Sequence, residues 1–349
     1  MSSLKQVAVI GAGSWGTALA WLLGSKGIPV KLWGRDAELV KNIRNRRQNA
    51  KYLPNVELPA TIEATGELRE ALDSADVAVL AVPSKGMRAT LQRAANLLGG
   101  PKLLLSAAKG LESDTGLRIS EVVKQELGPE AANRYAVLSG PNLAREVAAG
   151  LPSSTVIASS EARVAEALQE LFRTSRFRVY TNPDVIGAEM GGALKNVIAI
   201  GAGMSDGRGF GDNTKAALLT RALHEITSLG VAEGARPETF AGLAGLGDLI
   251  VTCVSPKSRN YQLGLRLAQG ETLDTILAST SEVAEGYPTA AAVYKLAKQH
   301  NLDMPISACI YEILYTNKPI AAGVDELMTR ASKPELGSSS PRAWADQSG

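Results

Sequence analysis

One lysine stands inside an almost wholly apolar run, Gly191-Gly192-Ala193-Leu194-Lys195-Asn196-Val197-Ile198-Ala199-Ile200-Gly201. A cation in that setting either snorkels to the surface or is held and used. Held and used, Lys195 is an acid/base group. A free lysine has a pKa of about 10.4, so it works near neutrality only if desolvated or placed beside a second cation. Lys109, in Ala107-Ala108-Lys109-Gly110 at the end of a strand pattern, is a candidate for that cation. The sequence leaves an edge lysine and an acid/base lysine equally open. One carboxylate, Asp248, stands in the glycine-rich stretch Leu243-Ala244-Gly245-Leu246-Gly247-Asp248, where a helix cap is the plainer role. Ser255-Pro256-Lys257-Ser258-Arg259-Asn260 then sets arginine, hydroxyl and amide donors at a helix start. Those groups suit an anion, and they also suit an ordinary capped turn.

A further constellation lies near the N-terminus. The β-branched run Val7-Ala8-Val9-Ile10 stops at Gly11-Ala12-Gly13-Ser14-Trp15-Gly16, and a helical pattern follows from Thr17. Glycines at this spacing between a strand and a helix fit a bound dinucleotide. Gly11 makes the turn, Gly13 lets a pyrophosphate approach, and Gly16 lets the helix pack close. The helix N-terminus adds free N–H groups and a positive dipole end. A glycine turn that binds nothing is the competing reading, and the flanking strand and helix count against it. An acid closing the second strand holds the ribose 2′-hydroxyl in NAD-specific folds. Here Val30-Lys31-Leu32-Trp33 runs into Gly34-Arg35-Asp36. Arg35 suits a 2′-phosphate, unless it is a solvated surface arginine. Asp36 suits an N-cap for a helix over 37–46.

The elements that position these residues follow a simple order. Strand patterns recur at 7–10, 30–33, 76–84, 102–106, 136–139, 155–158 and 178–180, several ending in a Ser, Lys, Gly or Pro cluster. The alternation with helical patterns predicts an α/β unit built on one doubly wound parallel sheet to about residue 190. Residues 41–61, basic and then proline-bearing, read as a helix end and a crossing loop. From Gly187 onward only helical periodicity remains, over 188–204, 214–229, 261–269, 289–299 and 307–315. The second unit is therefore expected to be all-α, ending near 335. The polar run over 336–349 is expected to be disordered.

Composition narrows the function classes. The 349 residues favour two domains. At 45% hydrophobic and 21% charged, the chain has a soluble globular composition. A net charge of +2 gives no global field for nucleic acid, and 5% aromatics leave few base-stacking surfaces. Cys253 and Cys309 form no C-x-x-C, and with only His224 and His300 no zinc site can be assembled. Both cysteines read as small buried hydrophobes, His224 as structural and His300 as exposed. No signal-peptide layout precedes the first strand, and no charge-free apolar run reaches membrane-spanning length. A reducing cytoplasm fits these features.

Taken together, the motifs resemble the bacterial NAD(P)-dependent glycerol-3-phosphate dehydrogenase family. GAGSWGTALA, AVPS, AAKG, LSGP, GALKN, GLAGLGDL, SRN and the pair Glu285-Gly286 occur in order. The resemblance implies a Rossmann domain over 1–190 and a 6-phosphogluconate dehydrogenase-like helical domain for substrate binding and dimerisation over 191–335. It implies a homodimer that reduces dihydroxyacetone phosphate with NADP or NAD as cofactor and supplies glycerophospholipid synthesis. Neither a metal, nor nucleic acid, nor membrane insertion is implied. Position by position, Lys195 resembles the proton-transfer lysine, and Lys109 a residue touching cofactor and substrate. Asp248, Ser258, Arg259 and Asn260 resemble substrate ligands, with Gly140 and Asn142 in the segment beside them. Asn142 departs from the Ser or Thr usual two residues after the LSGP glycine. Ser14, Trp15, Arg35, Ala144, Arg259, Val283 and Glu285 match cofactor contacts. A β-hydroxyacid dehydrogenase of similar layout has no use for the Ser258-Arg259-Asn260 loop, and a non-catalytic NAD(P) sensor leaves Lys195 and Asp248 idle.

Overall fold

A computed structural model describes residues 4–279, 284–332 and 334–335, so Val283 and the expected tail over 336–349 lie outside the described residues. Ten strands are present among these: β1 (Val7–Ile10), β2 (Val30–Trp33), β3 (Gln48–Asn49), β4 (Leu53–Glu57), β5 (Ile62–Thr65), β6 (Val77–Leu80), β7 (Leu103–Ser106), β8 (Tyr135–Ser139), β9 (Ser153–Ala158) and β10 (Phe177–Asn182). Eight of them form one sheet in the order β10-β9-β8-β7-β6-β1-β2-β5. Val7 pairs with Val30 on one side and with Val77 on the other. The strand order reverses around β1, the point at which α/β sheets open a ligand crevice at their strand ends.

The central strands read as unbroken apolar runs because both of their faces are covered. Val7, Val9, Leu105 and Leu138 face one helical layer with Leu19, Leu23 and Phe172. Ala8, Ile10, Leu104 and Val137 face the other, with Leu91 and Val122. This is the period-2 alternation of a strand, with apolar residues on both sides.

The sheet departs from the expectation in two ways. It is not parallel throughout: β8 and β9 pair antiparallel, and β10 runs with β9, so these two strands oppose the other six. The link between β8 and β9 holds only the short helix Ala144–Ala148, and β9 returns beside β8 instead of crossing over. Residues 41–61 are also more than a crossing loop. They include the antiparallel pair β3–β4, after which β5 closes the edge beside β2. Two-residue strands and polar edge strands carry too weak a period to stand out in sequence.

Beyond Asn182 the described residues contain no strand, in agreement with the helical periodicity. The centre of the second unit is the helix Val185–Gly207, buried nearly all round. It begins five residues before 190 and runs unbroken through that position. Asp184 caps it by accepting from Gly187 N and also takes the hydroxyl of Thr239 and the backbone N–H of Arg236. The helix Arg259–Ala268 crosses it at Gly203 and Gly264, where any side chain would overlap the partner's backbone carbonyl. Val185–Gly207 and the stretch Pro237–Val254 are each long and apolar enough to span a bilayer, but the first is a core rod with Glu189 and Lys195 inside it.

Candidate active site

The strand ends and the long helix bring three ionisable side chains together. Lys109 follows β7, Lys195 lies on the helix Val185–Gly207, and Asp248 opens the helix Asp248–Val254. Lys109 Nζ donates to Asp248 Oδ2 at 2.8 Å and to the carbonyl of Gly140 at 2.7 Å. Lys195 Nζ donates to the other oxygen, Asp248 Oδ1, and to Thr252 Oγ1 at 2.8 Å. Lys195 is 5% exposed and Asp248 1%. Burial lowers the Lys195 ammonium to about 8, with the Lys109 charge pushing the same way and Asp248 opposing. Lys195 is therefore the held lysine, not the snorkelling one.

Local chemistry explains how each group is held. Asp248 follows a single π turn over Leu243–Gly247, closed by Gly247 N donating to the Gly242 carbonyl at 3.1 Å. Such turns aim a side chain by adding one residue to the helical repeat. Thr252 lies one turn on, on the same face, and its hydroxyl donates back to the Asp248 carbonyl at 2.6 Å. Thr252 belongs to no motif in the sequence, although its i,i+4 spacing from Asp248 is a usable signal. Asn196, next to Lys195, donates to the Lys109 carbonyl at 2.7 Å and accepts from Asn260 Nδ2 at 2.9 Å. Asn260 Oδ1 in turn accepts from Gly286 N at 2.9 Å. The Asn260 side chain is thus a brace, with both ends used inside the protein.

The remaining expected residues surround this core. Ser258 N-caps the helix Arg259–Ala268 by accepting from Tyr261 N, and Arg259 stands exposed in its first turn. Gly140 sits at φ +143°. Asn142 Nδ2 donates to the Ser154 carbonyl at 2.9 Å, while its Oδ1 and the neighbouring Ser139 hydroxyl are buried without a protein partner. Glu285 accepts from Ser84 N at 2.8 Å. Burial raises its carboxyl above the usual range, partly offset by Ser84 and by the charges of Arg259 and Lys195.

The glycine turn has the form a dinucleotide needs. Gly11 takes φ +126°, and a side chain there would strike the Ala81 carbonyl group at 2.7 Å. A side chain at Gly16 would overlap the Gly11 carbonyl oxygen, while one at Gly13 would meet nothing within 4 Å. Gly13 is the N-cap of the first helix, Ser14–Ser25, and the buried Trp15 Nε1 has no partner. Ala144 and Trp15 flank one small apolar cluster around Ala18, Leu53 and Ala148. Arg35 is exposed just past β2, and Asp36 caps the next helix by accepting from Leu39 N. Among the described residues no group of His, Cys, Asp and Glu could hold a metal ion. Both cysteines are buried and free, and His224 and His300 are exposed.

Comparison with known proteins identifies the family of both units. Residues 6–165 match the family model of the NAD-dependent glycerol-3-phosphate dehydrogenase N-terminus, and residues 184–325 match that of the C-terminus. The chain is 49% identical over 331 residues to a glycerol-3-phosphate dehydrogenase [NAD(P)+] of Geobacter sulfurreducens, covering 95% of this chain and 99% of that one. It is 48% identical to the protein of the same name from Geobacillus thermodenitrificans, covering 95% and 97%. The crystal structure of glycerol-3-phosphate dehydrogenase from Coxiella burnetii superposes with a TM-score of 0.89 at 37% identity, covering 94% of this chain and 99% of that one. With both halves matched in order over nearly the whole chain, the chain belongs to the family of NAD(P)-dependent glycerol-3-phosphate dehydrogenases.

Proposed function

We propose that this enzyme interconverts dihydroxyacetone phosphate + NAD(P)H + H⁺ and sn-glycerol 3-phosphate + NAD(P)⁺, with Lys195 as the proton-transfer group. The observation that carries the assignment is the shared carboxylate: Asp248 holds Lys109 and Lys195 side by side, and of the two lysines only Lys195 is buried. The open space at Gly13, the helix start that follows it and the unpartnered Trp15 Nε1 fit a nicotinamide dinucleotide. When bound, that nucleotide supplies the hydride received at C2 of the ketone. Lys195 gives a proton to the oxygen that becomes the C2 hydroxyl, and takes it back in the reverse direction. Lys109 adds positive charge where the oxygen turns negative. Arg259, at a helix start capped by Ser258, binds the substrate phosphate and fixes the carbonyl's position.

Arg35 reads the 2′-phosphate of NADP, and NAD is also accepted because no acid takes the place of Gly34. The supply of glycerophospholipid precursor and a cytoplasmic location belong to the same proposal, as does assembly into a homodimer. Exposed apolar side chains of the helical unit, including Val231, Ile250, Val254 and Met328, support the dimer. The deciding assay follows reduced-nicotinamide absorbance in purified protein with dihydroxyacetone phosphate, and in parallel the oxidation of β-hydroxyacids. Turnover confined to the hydroxyacids would reject the proposal.

A further inference from the structure

A second buried carboxylate lies on the long helix outside the site. Glu189 is 7% exposed and sits six residues before Lys195, about 9 Å along the axis at 1.5 Å per residue. Its partners all belong to the sheet unit. Oε1 accepts from Ser120 N at 2.8 Å and from the Tyr135 hydroxyl at 2.7 Å, and Oε2 accepts from Ser120 Oγ at 2.5 Å. The Arg118 guanidinium stands 3.6 Å from Oε2. Burial pushes the Glu189 carboxyl above the usual range, and the Ser120 and Tyr135 donors and the Arg118 charge oppose that push.

The next turn of the helix explains why such a tether is useful. Gly192 brings the helix backbone against the Ser139 hydroxyl at the end of β8, so closely that a side chain would meet it at 2.9 Å, while Gly191 packs on the Ala244 carbonyl of the helical unit, which a side chain would meet at 2.5 Å. A glycine contact allows close approach but supplies no side chain to hold it, so the helix is tied to the sheet unit by Asn196 at the Lys109 carbonyl on one side and by Glu189 on the other. Lys109 moves with the sheet and Lys195 with the helix, and Asp248 must reach both. The distance between sheet and helix therefore sets the whole arrangement.

We propose that Glu189 is a positioning residue. It seats the Lys195 helix on the sheet unit and thereby fixes the spacing among Lys195, Asp248 and Lys109. It touches neither substrate nor cofactor. The inference rests on Lys195 being the proton-transfer group.

The test is the Glu189→Gln variant, with Tyr135→Phe and Ser120→Ala as milder companions that each remove one side-chain donor. The readouts are the pH profile of kcat/KM for dihydroxyacetone phosphate and NADPH affinity by fluorescence titration. The expected result is a loss of about tenfold or more in kcat/KM, since ångström-scale misplacement of a reacting group has effects of this order. The alkaline limb moves as well, because the charges acting on Lys195 have shifted, while NADPH affinity stays within about twofold of the parent. Rescue by Glu189→Asp is partial, as the shorter acid reaches fewer of the donors. A folded Glu189→Gln protein with a lower melting temperature but the parent's pH profile would overturn the proposal, leaving Glu189 as a strut. If Glu189→Gln fails to fold, the same readouts in Tyr135→Phe and Ser120→Ala decide, and an unchanged profile in both overturns it. A Lys195→Ala control with undiminished turnover would instead reject the assignment of Lys195 itself.

Discussion

Lys109 and Lys195 approach the two oxygens of one buried carboxylate, one from a strand end of the sheet and the other from the core helix. Two cations share one anion, so the cluster carries a net positive charge where an anionic substrate and a developing oxyanion are expected. Each member has a different measurable consequence.

Lys195→Ala should lower kcat by roughly two to four orders of magnitude, the range for loss of a positioned acid/base. NADPH titration should give the parent's affinity. Turnover near that of the parent across the pH range would remove Lys195 from the role.

The pH dependence has a definite sign. Burial, reinforced by Lys109, lowers the Lys195 pKa to about 8. Ketone reduction needs the protonated form, so kcat/KM for dihydroxyacetone phosphate should fall as pH rises through about 8. Oxidation of sn-glycerol 3-phosphate needs the neutral form and should rise over the same interval. Initial rates in both directions test this, and parallel profiles would contradict it.

Asp248→Asn removes the shared counter-charge while keeping the shape. Two lysines then face each other with no anion between them, and breaking a buried ion pair on one side costs about 3–5 kcal/mol. Thermal unfolding should show a clear loss of stability, greatest where Lys195 is charged. The alkaline limb for reduction should move to lower pH, because Asp248 opposes the downward shift of Lys195.

Arg259→Ala should cost at least about 2 kcal/mol in kcat/KM for the phosphorylated ketone, the scale of a charge-assisted pair. Unphosphorylated dihydroxyacetone should be a poor substrate for the parent and should lose little more in the variant. Equal losses for both would mean that Arg259 serves the fold or the cofactor instead.

Arg35→Ala should weaken NADPH by about 1–3 kcal/mol, as for hydrogen bonds to charged groups, and leave NADH nearly unchanged. Titration with both nucleotides separates the outcomes, and equal losses would show that Arg35 does not read the 2′-phosphate. Gly34→Asp is a less clean test of the same point, because a side chain there starts 3.2 Å from both Ala12 Cβ and Val40 Cγ2.

Much of this arrangement is legible in the residues because strong local patterns encode it. The unbroken apolar runs of β1, β6 and β7 mark buried parallel strands, and a lone lysine in the run over 191–201 marks the site helix. What escapes the sequence has a physical cause. Strand direction leaves no periodic trace, so the apolar run Thr155 to Ala158 marks a strand without showing that β9 runs against β8. β5, with exposed Glu63, lies at the sheet edge and lacks the double burial that betrays a central strand. Asn260 looks like a free donor in the sequence, and only three-dimensional packing shows that Asn196 and Gly286 use both of its ends. Glu189 reads as an ordinary helical acid until Ser120 and Tyr135 are seen around it.

The unbroken helix Val185–Gly207 also constrains how such proteins could be recombined. Its first turns are fastened to the sheet unit through Glu189, and its later turns form the centre of the helical unit. A chimera joined at residue 190 would pair one parent's anchor with another parent's rod. Exchanging nucleotide-binding halves between relatives therefore calls for a junction before Asp184, with Ser120 and Tyr135 matched to whichever acid the incoming helix carries.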